Sequence, residues 1–207
     1  MIRMEMMRPM PPQMLHLVSP PAAQPLRERS DDGLMALCKS DHRAAFGVLV
    51  QRHEARVFGF AARYLGEQAL AEEACQLTFV RVWRLRGEYE ARGKLTAYLA
   101  RLCWHACREL GRSRRRRQAA IEKFGSLAPE ASIHDPEEVV LQRERQRTVE
   151  RAIARLPRRL KETVLFRFYH GMSYAQMAEI LGRSEATLRS RIHSALKRLR
   201  GTLEAAP

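Results

Sequence analysis

Apolar residues recur at three- and four-residue spacing along two stretches of this 207-residue chain, about 30–110 and 139–203. That is the period of helices that bury one side, and no alternating strand pattern competes with it. In the first stretch Ser30 or Asp31 is placed to cap a helix whose apolar stripe begins at Leu34, Leu37 and Cys38. A second helix carries Ala45, Phe46, Leu49, Val50, Val57, Phe58 and Ala61 and breaks at Gly66. A third, from about Gln68 to Arg86, aligns Ala71, Ala74, Cys75, Thr78, Phe79, Val82 and Trp83. Gly87 to Gly93 is a polar loop, and Leu95 to Leu110 forms a fourth helix.

Between and before these stretches the pattern fails. Residues 1–28 hold many prolines and methionines without periodicity and are expected to be a disordered leader. The run RSRRRR, Arg112 to Arg117, is expected to end the fourth helix, because like charges so close repel one another unless they are solvated or bound to phosphate. Gln118 to Glu138, with Gly125, Pro129 and Pro136, reads as a linker. The expected organisation is a leader (1–28), a helical domain (29–117), a linker (118–138) and a second helical domain (139–207).

The second stretch carries the most specific local chemistry. Leu156-Pro157 divides two helices, since proline disfavours helical geometry in the residue before it. A helix then ends near Tyr169, with Gly171 suited to the left-handed terminating position. Ser173 with Gln176 makes a capping box for a helix that buries Met177, Ala178 and Leu181. Gly182 supplies a tight turn, and Ser184 caps a final helix with a core stripe of Leu188, Ile192, Ala195, Leu196 and Leu199. This is a helix-turn-helix, so the expected fold class is all-α: two small helical domains joined by a flexible linker, the second a helix-turn-helix domain.

Charge changes the picture from fold to partner. The net charge is +14 with a pI near 10.6, and between Arg151 and Arg200 twelve Lys or Arg stand against three Glu. A surface so basic attracts polyanions, of which nucleic acid is the commonest. An α-helix fits the major groove, where arginine holds guanine bidentately. Arg189, Ser190, Arg191 and His193 are the candidate base readers, with Glu185 turned partly outward beside them. Arg183, Lys197 and Arg198 lie nearer the edges, where phosphate contacts position without specifying. A plain helical bundle with a solvated basic face is the competing interpretation.

No apolar run approaches the ~20 residues of a spanning helix, and the first residues make a poor secretion signal, so the expected location is the cytoplasm. Cys38, Cys75, Cys103 and Cys107 are then small buried residues rather than disulfides. Cys103 and Cys107, one turn apart around His105, leave a thiol sensor or half a zinc site open.

The last segment resembles the fourth conserved region of extracytoplasmic-function sigma factors of bacterial RNA polymerase. The residues that carry the likeness are Leu156-Pro157, Gly171-Met172-Ser173-Tyr174 and Thr187-Leu188-Arg189-Ser190-Arg191. Ala71 to Leu85, AEEACQLTFVRVWRL, resembles that family's second-region helix, and Leu95 to Arg108, LTAYLARLCWHACR, its promoter-opening helix.

The resemblance implies a sigma factor that binds core polymerase and directs promoter-specific initiation. Glu73, Gln76 and Phe79 would then meet the β′ clamp helices, and the second domain the minus-thirty-five element and the β flap. Lys94, Tyr98, Arg101, His105 and Arg108, beside a pocket made by Glu88 to Lys94, would open the minus-ten element, with Arg112, Arg114 and Arg115 on duplex phosphates. Opening a duplex requires a pocket for an extruded base, apolar surface to replace stacking and cations for the strand. Tyr98 stands where the family usually has tryptophan and His105 where it has asparagine, which puts the recognised sequence in doubt.

The likeness further implies a monomer when free, no cofactor, no enzymatic activity, no membrane insertion and an anti-sigma factor as a possible partner. Two rivals remain open. A regulator that binds DNA without replacing the polymerase's sigma factor would leave the Ala71 to Leu85 motif unexplained, and an enzyme would need a catalytic cluster that the spacing does not supply.

Overall fold

The structure is a computed structural model and describes residues 24–124 and 140–204. Among these residues the elements are helical, with α-helices α1 (Asp31–Lys39), α2 (Arg43–Leu65), α3 (Gln68–Arg84), α4 (Leu95–Phe124), α5 (Val140–Arg155), α6 (Arg158–Val164), α7 (Tyr174–Leu181) and α8 (Glu185–Glu204). Most of the linker expected from the sequence, and residues 1–23 of the leader, lie outside the described residues.

Capping chemistry sets the boundaries. The Ser30 side chain accepts from the Gly33 amide at 3.1 Å to start α1, and His42 Nδ1 accepts from the Ala45 amide to start α2. Gly66, at φ 73°, ends α2 by donating to the Ala62 carbonyl at 2.8 Å, a left-handed position that costs glycine little. Ser173 and Gln176 form the reciprocal capping box of α7, at 3.2 and 2.9 Å. Gly182 closes α7 at φ 60°.

Four differences from the sequence pattern have physical causes. Helix α4 does not stop at the arginine block but runs on to Phe124. Successive helical residues point about 100° apart, so Arg112, Arg114, Arg115, Arg116 and Arg117 are all exposed, and Glu67 pairs with Arg114. Leu26–Glu28, assigned to the leader, form a 3-10 turn, and Arg52 donates to the carbonyls of Arg27 and Arg29. Helix α6 passes at Leu165–Tyr169 into a single π turn, with the His170 amide donating to the Leu165 carbonyl. Leu196, expected in the core stripe of α8, is exposed while Leu188, Ile192 and Ala195 are buried; one residue past Ala195 the helix has already turned that side to solvent.

Helices α1 to α4 pack around Leu34, Met35, Leu49, Val57, Phe60, Val82, Leu99 and Leu102. A smaller core joins Leu156, Val164, Ile192 and Ala195 of the second domain. The two domains are not held apart. Leu165, Phe166, Met172, Met177 and Leu188 belong to the same buried cluster as the first domain's core. Phe166 is fully buried, its ring 5.4 Å from Phe60 and edge-on to Trp104. Polar contacts flank this seam: Trp104 Nε1 donates to Glu162 at 3.1 Å, Arg63 to Glu150 at 2.6 Å, and Arg158 Nε to the Tyr64 hydroxyl at 2.7 Å.

Candidate nucleic-acid interface

Along α4 the residues Lys94, Tyr98, Arg101, His105, Arg108 and Arg112 follow one another at steps of four and three from just before the helix onward, which places them on one stripe. Lys94, Arg101, His105 and Arg112 are exposed, Tyr98 and Arg108 half-buried. Arg101 lies 5.9 Å over the Tyr98 ring and Arg108 4.5 Å over Trp104. The His105 imidazole is held below its ordinary range by burial and by Arg101, Arg108, Arg81 and Arg112, which favours the neutral ring. Arg114 and Arg115 continue the exposed basic surface of the same helix.

A cleft of about 250 Å³ opens beside the start of the stripe, lined by Glu88, Tyr89, Lys94, Tyr98 and Arg101 among others. Its loop is tied to α1 by a residue the sequence pattern did not single out. Asp32 accepts from the Tyr89 hydroxyl at 2.6 Å and from the Gly93 amide at 2.7 Å. Tyr89 is thereby buried, 5.3 Å from the Tyr98 ring, and Gly93 turns at φ 64°. The local signal was an acidic residue in the first turn of α1, which reads as ordinary helix-terminus chemistry; only the fold reveals its second use.

On α8 the exposed residues Arg189, Ser190, His193 and Lys197 share one face. Glu185 accepts from Arg189 at 2.8 Å, and Arg189 also lies 5.0 Å over the Tyr174 ring, itself covered by Arg167 at 5.1 Å. Tyr174 therefore orients Arg189. Arg191 departs from the expected set: it is half-buried and turned toward Glu162, 3.9 Å away, since two residues along a helix is more than half a turn. Arg183 is exposed at the turn between α7 and α8.

On α3 Glu73 and Gln76 are exposed, but Phe79 is not. It packs edge-on against Phe46 inside the first domain and has no side chain left for a partner. Val80, 45% exposed, shares the face of Glu73 and Gln76 instead. Trp83 also packs inward, 5.0 Å from Phe46.

Cys103 and Cys107 are fully buried with their sulfurs 4.0 Å apart. The hydrogen bond with the Cys103 thiol, and then burial, push Cys107 far above its ordinary range, and burial raises Cys75 to about 11. Such thiols carry almost no thiolate, the form that reacts with oxidants and metals. Among the described residues no group of three or more His, Cys, Asp or Glu is placed to hold a metal ion, and no helix is long and apolar enough to cross a membrane.

Comparison with known proteins gives this geometry a family. The model of sigma-70 region 2 matches residues 49–117, and that of sigma-70 region 4 matches residues 146–199. RNA polymerase sigma factor CarQ of Myxococcus xanthus is 30% identical over 159 residues, spanning 77% of this chain and 89% of its own. An ECF RNA polymerase sigma factor, SigK of Mycolicibacterium vanbaalenii, is 28% identical over 192 residues, spanning 92% of this chain and 97% of its own. Among solved structures, CnrH in complex with the cytosolic domain of CnrY shares the fold at a TM-score of 0.63 and 23% identity, covering 86% of this chain and 99% of that one. The RpoE sigma factor of Bartonella quintana, in complex with the anti-sigma factor NepR, does so at 0.62 and 21%, covering 78% and 98%. The chain belongs to the sigma factors of bacterial RNA polymerase, in their extracytoplasmic-function group.

Proposed function

We propose a division of labour in which α3 anchors the polymerase, α4 opens the downstream promoter element and α8 reads the upstream one. As a sigma factor, the chain binds core RNA polymerase and promoter DNA and directs initiation; the proposal assigns its residues. The observation that carries it is the stripe on α4. Cations at alternating steps of four and three flank a cleft with Tyr98 at its lip, which supplies backbone charge and a stacking surface together. Arg189, Ser190 and His193 read base edges, Arg183 and Lys197 meet phosphates, and Arg112, Arg114 and Arg115 hold duplex phosphates. The polymerase-facing set is Glu73, Gln76 and Val80, supported from below by Phe79.

The reaction chemistry belongs to the polymerase, so the chain is no enzyme, and its place of work is the cytoplasm. The Bartonella quintana relative is solved with an anti-sigma factor; a partner of that class for this chain would cover the same basic and apolar faces.

Run-off transcription with purified core polymerase on a genomic promoter library tests the assignment. Promoter-specific transcripts should require this protein and disappear when Gln76→Ala and Val80→Asp are combined, with the fold intact by circular dichroism. Promoter binding without core-dependent initiation would support a conventional regulator instead.

A further inference from the structure

Arg189 stands at the end of a chain of contacts that begins off the helix it belongs to. Gly171, at φ 66°, leads the backbone out of the π turn, and the Met172 amide donates to the Phe166 carbonyl at 3.1 Å. Met172 is buried, which fixes its own carbonyl, and Arg167 donates to that carbonyl at 2.7 Å. The Arg167 guanidinium lies 5.1 Å from the centre of the Tyr174 ring, and the Arg189 guanidinium 5.0 Å from the same centre. Both are within the ~6 Å at which an aromatic face holds a cation. Glu185, one turn before Arg189 on α8, accepts from its Nη2 at 2.8 Å.

These contacts matter because of how arginine reads a base. A guanidinium meets guanine through two parallel N–H donors, so its plane counts as much as its position. A long side chain left free must also give up its rotamers on binding. An aromatic ring restrains the plane and a carboxylate the direction of the fork, before DNA arrives. Arg189 is exposed, whereas Tyr174 and Arg167 are half-buried behind it. Among the described residues these two guanidiniums are the cations held over Tyr174, so what Arg167 does to the ring passes on to Arg189.

We propose that Arg167 and Tyr174 are positioning residues that set the base preference at one pair of the upstream promoter element, by holding the Arg189 guanidinium in the orientation that a guanine accepts. The proposal rests on α8 reading that element through Arg189. The determinants of sequence preference then extend beyond α8, to a residue of the π turn that touches no base. Without the ring, Arg189 keeps its charge and its place on the helix but loses its orientation. Discrimination falls while contact with DNA remains.

The test uses the full chain bound to core polymerase, on promoter templates that carry every single-base change in the upstream element. Competition among the templates gives a preference at each position. Arg189→Ala should erase the preference at one base pair and so identify it. Tyr174→Leu should weaken the preference at that same pair by about tenfold, within what one bidentate arginine–guanine contact supplies, and leave the other positions unchanged. Tyr174→Phe, which keeps the ring, should keep the preference. Arg167→Met should weaken it at the same pair by about threefold, the worth of one exposed contact between a cation and a ring. Tyr174→Leu added to Arg189→Ala should change nothing further there.

An equal loss across all templates in Tyr174→Leu overturns the proposal, for it would mark a tyrosine that only holds the fold. So does a loss at a different base pair, or one that persists when position 189 is alanine. Should Tyr174→Leu fail to fold, Arg167→Met decides by the same comparison, position by position. Unchanged preferences in Arg189→Ala would overturn the base-reading role of Arg189 itself, an outcome told apart from the others by that variant alone.

Discussion

At the scale of single residues the most consequential one is His170. Its ring sits 5.1 Å from Phe60 and 6.3 Å from Phe166, at the seam. Neither ring nitrogen finds a hydrogen-bond partner among the described residues. Burial first, and the Arg56 charge from α2 second, pushes the imidazole down to about 4 from its ordinary 6.5. The folded seam therefore refuses a proton that the unfolded chain accepts. The stability that this neutral ring preserves is fully present above pH 6.5 and weakens as pH falls toward 4, by up to about tenfold per unit. His170→Phe removes both the charge and the unsatisfied nitrogens, so the compact form should persist to lower pH; scattering across pH 7 to 4.5 on both chains checks this, and equal slopes would sink it. Phe79 teaches a related lesson. An aromatic in the right motif looked like a partner contact, yet the helical period could not say which flank of α3 faced α2. Its burial is why the proposed contact is Val80, one residue on, which is exposed.

At the scale of elements, what sequence chemistry resolves is what is local. The capping box Ser173/Gln176, the left-handed glycines Gly66, Gly171 and Gly182 and the break at Leu156-Pro157 are each legible because cause and effect lie within four residues. What could not be read is the tie between α1 and the loop before α4, since Asp32 reaches Tyr89 across 57 positions. The length of α4 has another cause. A block of arginines looks self-repelling in a line, but a helix spreads it around its circumference and lends it a neighbour, Glu67. These two cases predict different outcomes. Ser173→Ala should cost about 1 kcal/mol of stability and little else. Asp32→Ala should leave the helices intact by circular dichroism but loosen the 89–93 loop, lowering promoter opening by fluorescent-base assays while duplex binding by α8 is kept. Loss of both activities together would show that Asp32 only holds the fold.

At the scale of the whole molecule, the sequence pattern describes two domains on a linker, because helical periodicity reports which side of a helix is apolar but not what that side meets. Leu165 and Phe166 lie on the helix that the sequence ends near Tyr169, with no sign of what they meet. In the structure they complete the core of the other domain. A shared core has a thermodynamic consequence. If the π turn Leu165–Tyr169 is buried against α2, the two domains lose stability together, and calorimetry on the full chain should show one cooperative transition. Phe166→Ala removes a fully buried ring and should cost about 3–5 kcal/mol of that unfolding free energy. Because the ring touches both domains, the loss should also uncouple them, splitting the single transition into two. Gly59→Leu should split it likewise without deleting any apolar group, since even a Cβ at Gly59 on α2 would lie 2.0 Å from the Tyr169 hydroxyl oxygen. Two separate transitions in the wild type would mean that each domain is stable unaided, and that the contact between Phe60 and Phe166 contributes too little to couple their unfolding.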